Sequence, residues 1–443
     1  MRDLVVLVFL MFYAILALRN FYVSYLLWGW SGLMAVNDYA YGFLSTMPIG
    51  MIFAIISLSS LFLNRNKLAK KYGKGALPFW FVAFGLHGVL SAASAFPNLP
   101  RNWEICINLT KTLLFCLCMP WLVVDRLRVH ALIVTVAVAV GFHGFVEGAK
   151  FVASLGQHLS LGISQYGDNN HFAMVLAMNI PLLIYLVKYS NKKLVQLGFI
   201  SVLILNVFAI VSTGSRGGLV ALLVLMLWQV LASKNKVAGL LLAGTCAVLV
   251  MGTASDRWKD RMDTIASAET DSSFLGRVLA WKHSAAIGFD HPFVGGGFRA
   301  VQDRAVWDRY DVSHGIFSSI STAQVEATLQ FAKAAHSIYF EVLGDQGVLG
   351  LMIFVMIFVV ALVTGRHVRM NSNKKGQIWI ADLAGCISVS LVVYLVGGAL
   401  LSAAYFELPY ILCMILFALR NVSANEKPDS PAVLAGATGY AVA

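Results

Sequence analysis

The sequence predicts an all-α polytopic membrane protein, on three observations: an apolar composition, apolar runs of span length from end to end, and basic clusters in every second loop. Of 443 residues, 59% are hydrophobic and only 12% charged, with a mean hydropathy of +0.75. A soluble domain of this size cannot hide that much apolar surface from water, so lipid is the solvent for most of the chain. Runs of about 15 to 22 residues cross a ~30 Å hydrocarbon core as helices rising ~1.5 Å per residue. Helix is the expected state because backbone in lipid must satisfy its own hydrogen bonds.

In chain order the expected spans are 3–17, 21–36, 47–63, 77–95, 104–123, 131–153, 172–189, 196–213, 218–232, 237–253, 338–364, 378–400 and 404–419. The first, within MRDLVVLVFLMFYAILA, has the apolar look of a signal peptide, but no AxA-like site closes it and further spans follow at once, so it reads as a retained segment. Basic clusters orient the rest, because Lys and Arg in short loops stay cytoplasmic. They stand at Arg65, Lys67, Lys70, Lys71 and Lys74; Arg126 and Arg128; Lys188, Lys192 and Lys193; Lys234 and Lys236; Arg366, Arg369, Lys374 and Lys375; and Arg420. Loops 37–46, 96–103 and 158–171, the turn at 214–218 and the long segment 254–337 therefore face outward. That segment holds ten Asp or Glu against nine Lys or Arg, as a translocated loop should.

Thirteen full crossings with an inward C-terminus would leave the N-terminus outside, whereas the pair 3–17 and 21–36, joined only by LRNF, read as one broken span or as including a segment that does not cross, gives about twelve transmembrane helices and two cytoplasmic termini. Four parts follow: an N-terminal transmembrane bundle at 1–253, a large outer loop with its own helices at 254–337, C-terminal transmembrane helices at 338–420, and a polar, disordered cytoplasmic tail at 421–443. Cys106, Cys116, Cys118, Cys246, Cys386 and Cys413 lie in or beside apolar runs without CxxC spacing and read as packing residues.

Arg216 stands in VSTGSRGGLVALL, a tight turn on the side where the positive-inside rule disfavours arginine. The plain reading is a snorkelling side chain. The sharper one is an anion site, in which Ser215, Arg216, Gly217 and Gly218 open a helix whose free amides and dipole favour phosphate while the guanidinium clamps it. His336 begins AHSIYFEVLGDQGVLG at the outer start of a long span, where a neutral imidazole can take a proton near neutral pH, although a lone histidine is more often structural. In the outer segment, Arg277, Ala280, Trp281 and Ser284 follow helical spacing, and on this pattern alone Arg277 reads as a surface arginine. In GDNNH at 167–171, Asn169 and Asn170 could hold sugar hydroxyls or serve as helix caps. Arg299 and Tyr339 join Ser215 as second-rank contacts. GGGF at 295–298 lacks a dinucleotide context. Asp256, Asp260 and Asp263 each neighbour Arg or Lys and read as a solvated turn, so no metal and no cofactor are expected.

Together these residues resemble the O-antigen ligase and polymerase superfamily: the STGSRGG turn opening a span, the RxxxW stretch followed by HPFVGGGF, and the HSxYxxxLGDxGxxG helix start. MRDLVVL with LLWGWSGLM is similar to ligases found beside exosortase systems. The resemblance implies a GT-C-type glycosyltransferase of the Gram-negative inner membrane with one large periplasmic loop. It implies metal-independent transfer of a glycan from undecaprenyl diphosphate to a lipid A-core acceptor, with Arg216 and Arg277 on the diphosphate and His336 as the catalytic residue. An O-antigen polymerase or a protein O-oligosaccharyltransferase would use the same residues. A different class, an anion or lipid transporter, also suits many spans with interior arginines, but the internal repeats usual for transporters are not seen.

Overall fold

The computed structural model describes residues 2–40, 42–162, 166–232, 272–328 and 331–428, and within them the fold is helical. The helices are α1 (Arg2–Arg19), α2 (Phe21–Met34), α3 (Ile49–Leu63), α4 (Leu77–Ala93), α5 (Asn102–Leu122), α6 (Arg126–Ala153), α7 (Asn169–Tyr189), α8 (Lys193–Ser212), α9 (Arg216–Ala232), α10 (Ser272–Asp290), the short α11 (Arg304–Trp307) and α12 (Ala323–Thr328), α13 (Ile338–Lys374), α14 (Ile378–Gly397) and α15 (Glu407–Asn425). Seven of these are long and apolar enough to cross a membrane: α5 to α8 and α13 to α15. Shorter apolar helices run over Val6–Arg19, Ile49–Leu63, Leu77–Ala93 and Arg216–Val230. The protein is therefore a polytopic helical membrane protein; the expected span 237–253 lies outside the described residues.

The first two helices correct the reading of residues 3–36. Asn20 caps α2 by accepting from the Tyr22 and Val23 amides and so separates the two helices. The Asp3 carboxylate accepts the Gly42 amide at 2.8 Å, and Phe9 packs on Trp30 with ring centroids 6.0 Å apart. The start of α1 thus lies beside the end of α2, and the pair is an antiparallel hairpin, not one broken span. Asn421, at the far end of α15, donates to the Tyr72 carbonyl. The two ends of the described chain therefore sit at opposite ends of the bundle, and they do not share a side as the sequence suggested.

Contacts gather the basic clusters of the described residues at one end. Ala69 donates to the Trp121 carbonyl, Arg126 lies over Trp379, Lys188 pairs with Asp382 at 2.7 Å, and Lys375 reaches the Ser423 carbonyl. At the other end stand GDNNH, the GSRGG turn and residues 272–328 and 331–337. The polar tail begins later than expected, since α15 continues to Asn425 and Ser423 is buried against Ser372 and Gln377.

Small residues bring the helices close. A methyl on Gly148 would lie 2.0 Å from the Leu205 carbonyl oxygen, and Asn206 donates across to the Gly141 carbonyl, so α6 and α8 meet backbone to backbone. Helix α7 is buried on nearly every side from Phe172 to Leu183 and forms the axis on which α8, α9 and α14 pack. Cys106, Cys116, Cys118, Cys386 and Cys413 are buried free thiols, in keeping with packing; Cys246 lies outside the described residues.

Candidate functional site

The α8–α9 turn is held from two sides. Ser215 caps α9: its hydroxyl accepts the Gly218 amide at 3.0 Å and donates to Asn170 Oδ1 at 2.7 Å. Asn169 Nδ2 donates to the Thr213 carbonyl at 2.8 Å. The two segments singled out in the sequence, GDNNH and GSRGG, are thus stitched into one unit, and the polar groups of Ser215, Asn169 and Asn170 serve that stitching. A methyl on Gly218 would meet the Ala173 side chain at 2.7 Å, so glycine there lets α9 lie against α7. Arg216, half-buried, is the first residue of α9 and stands at the positive end of the helix dipole.

His336 approaches from the other side. Its backbone has φ 44°, in the left-handed region that few non-glycine residues occupy. Two bonds hold that conformation: the His336 amide donates to Ser402 Oγ at 2.8 Å, and the Trp281 indole donates to the Ala335 carbonyl at 2.6 Å. Trp281 also stacks on Phe340 with centroids 5.3 Å apart and planes 11° apart, which fixes α10 along the start of α13. Arg277 stands one turn before Trp281 on α10, so the helical spacing read from the sequence carries it to His336. Among the described residues the imidazole itself makes no hydrogen bond, and it is half-buried.

Burial lowers the His336 pKa below its ordinary value; the Arg277 and Lys333 charges lower it further, and Asp168 opposes them. A neutral imidazole at neutral pH follows, able to accept a proton. Asp168, which caps α7 by accepting the His171 amide at 2.8 Å, stands two residues from Asn170, the partner of Ser215. It therefore links the Arg216 turn to the Arg277 and His336 pair. Sequence reading missed Ser402, Lys333 and the role of Asp168. Asp168 carried a signal, an acidic cap at an outward helix start; Ser402, 66 residues from His336, carried none.

Other segments are placed differently. The Tyr339 hydroxyl donates to the Leu395 carbonyl at 2.9 Å, which takes it up structurally. The Arg299 amide donates to Asp345 Oδ1, and the Arg299 charge acts on Glu104, Glu341 and Asp345, with no contribution at His336. HPFVGGGF docks on LGDQG as a backbone lock. Gly296 donates to the Gly344 carbonyl, Gly297 to the Asp345 carbonyl and Leu349 to the Pro292 carbonyl. Gly347, at φ 71°, kinks α13 to receive it. Asp256, Asp260 and Asp263 lie outside the described residues.

Residues 199–355 match the family model described as O-antigen ligase, a stretch that contains the turn arginine, α10 and His336. Residues 1–191 match a family of unknown function, which carries no link to exosortase systems. No curated protein matches the chain.

Proposed function

We propose, for a chain that carries the O-antigen ligase domain over residues 199–355, that it transfers a glycan from undecaprenyl diphosphate to the lipid A-core oligosaccharide at the periplasmic face of a Gram-negative inner membrane. The observation that carries this reading is the grouping of Asp168, Arg277 and an unbonded His336 imidazole at the end of the bundle opposite the basic clusters, with the Arg216 turn tied to the Asp168 segment through Ser215 and Asn170. Basic clusters mark the cytoplasmic end, so the site faces the periplasm. The whole is a transmembrane helical bundle of GT-C type, with residues 254–337 as the large periplasmic loop over a bundle formed by 1–253 and 338–420.

Arg216 and Arg277 hold the diphosphate. Their charge grows in value as the bond from the sugar C1 to the diphosphate oxygen breaks and that oxygen takes the electron pair. His336 accepts the proton of the acceptor hydroxyl as its oxygen bonds to C1 from the opposite face, which inverts the configuration. The products are the glycosylated acceptor and undecaprenyl diphosphate. No metal takes part in this scheme. Asn169, Asn170 and Ser215 position the turn; Arg299 and Tyr339 act at a distance from the reacting atoms.

The test is a lipopolysaccharide gel from a ligase-deficient Gram-negative strain expressing the protein or its His336→Ala variant, with a blot for undecaprenyl-linked glycan. A ladder on lipid A-core with the parent chain and none with the variant supports ligation. Longer chains on undecaprenyl would instead make it a polymerase, product on protein an O-oligosaccharyltransferase, and uptake into proteoliposomes without transfer a transporter.

A further inference from the structure

A cavity of about 390 Å³ lies apart from His336, between α2, α3, α5 and α15, at the same end of the bundle. Its apolar wall includes Trp28, Met51 and Phe115, and its polar groups include Asn37, Lys111 and Glu407. Two glycines of α2 open it. A methyl on Gly29 would lie 2.7 Å from the Phe115 ring, and one on Gly32 would lie 2.7 Å from Glu407 Oε2. Met51 is half exposed at the mouth, so the cavity opens on the lipid-facing side of the bundle.

The two charges are what a packed membrane core should not contain. Lys111 is nine residues on from Asn102, so it stands about 14 Å below the start of α5 at the helical rise. Lys111 and Glu407 lie within electrostatic range of each other. Among the described residues, however, neither forms a hydrogen bond or an ion pair within 4.0 Å. Opposite charges placed in a bundle and left unjoined are costly, and the usual resolution is a ligand or a partner. The cavity volume falls in the range of small-molecule sites. The two charges face one space, with an apolar wall continuing toward the lipid.

We propose that this cavity binds one lipid through a phosphoethanolamine head group, its phosphate toward Lys111 and its primary ammonium toward Glu407, with acyl chains leaving past Met51. The charges select the head group. An anionic glycerol head leaves Glu407 without a partner, and a choline head carries a quaternary nitrogen that donates no hydrogen bond to the carboxylate. The site is separate from glycan transfer and stands whether or not that activity is confirmed.

The experiment is native mass spectrometry of the full chain in detergent, competed with phosphatidylethanolamine, phosphatidylglycerol and phosphatidylcholine of matched acyl chains. The expected result is one retained phosphatidylethanolamine, favoured about tenfold over the other two, the size expected for one charge-assisted hydrogen bond. Glu407→Gln should remove that preference, Lys111→Gln should weaken retention of all three lipids, which share the phosphate, and Gly32→Ala, whose methyl displaces the Glu407 carboxylate, should weaken the preference. Equal retention of the three lipids by the parent chain overturns the proposal without recourse to any variant. So does an unchanged preference in Glu407→Gln, or unchanged retention in Lys111→Gln, when the variant's thermal melting matches the parent.

Discussion

The lock around Gly295 and the cluster around His336 draw on neighbouring parts of the sequence, both resembling one family, yet they spend their polar groups in opposite ways. In the lock, the amides of Gly296, Gly297 and Leu349 and the Ser91 hydroxyl are all bonded within the protein, and His87 bridges Gln346 and the Phe293 carbonyl. At the cluster, the backbone of His336 is held in a left-handed conformation while its ring is left unbonded among the described residues. Backbone strain with an available side chain is the pattern of a site prepared for a substrate. A satisfied backbone with glycine at close approach is the pattern of a joint. Motif likeness does not separate the two; the hydrogen-bond partners do.

That contrast can be broken most sharply at Gly295. It sits at φ 67°, and a methyl there would lie 2.4 Å from the Asp345 carbonyl carbon and oxygen. Gly295→Ala should cost roughly 2 to 5 kcal/mol through strain and overpacking together. The loss should be read as a lower melting temperature in detergent and poorer yield. A variant that melts normally but no longer transfers glycan would move the lock into the catalytic machinery.

Arg216→Ala and Arg277→Ala should do the reverse. Each should lower transfer about 100-fold, roughly 3 kcal/mol of barrier, with the melting temperature kept. Turnover near the parental rate in a purified assay would remove either arginine from the donor site. A smaller effect is expected at Ser402, whose hydroxyl accepts the His336 amide. Ser402→Ala should lower kcat about fivefold, as expected for a lost hydrogen bond of about 1 kcal/mol, and leave donor KM unchanged. A change confined to KM would assign Ser402 to binding.

The smallest effect is a displaced pH profile. Burial, Arg277 and Lys333 hold the imidazole pKa down, so its base form persists to lower pH than for an ordinary histidine. The acidic limb of the rate profile should therefore lie below pH ~6.5. Removing the Arg277 charge raises the pKa, so the residual activity of Arg277→Gln should fall off at higher pH than the parent. An unmoved limb would mean that His336 is not the titrating group.

Much of this was legible in the sequence where the signal is local. The apolar runs 47–63, 77–95 and 104–123 became Ile49–Leu63, Leu77–Ala93 and Asn102–Leu122, because hydropathy reports directly what lipid demands. Helix ends outside the lipid were less visible. Helix α13 continues ten residues past the expected edge at 364, through a polar turn that hydropathy cannot register. Arg277 and His336 were named from resemblance, and their approach through Trp281 and Ala335 needed the fold. Ser402, the antiparallel α1–α2 hairpin and the Lys111–Glu407 cavity rest on contacts between distant positions, which no local pattern encodes.

The lock has one more consequence, for mutational drift. The bonds of Gly296, Gly297 and Leu349 run from main chain to main chain, and Phe293 within the lock is 72% exposed. A saturation library across 291–298 should accept many side chains at Phe293 while rejecting nearly all at Gly295 and Gly297, where a methyl would collide with the Asp345 backbone and with Ala95. Two related chains could thus share the joint atom for atom and still differ at most of its letters, with only the spacing of the glycines left as the mark of common descent.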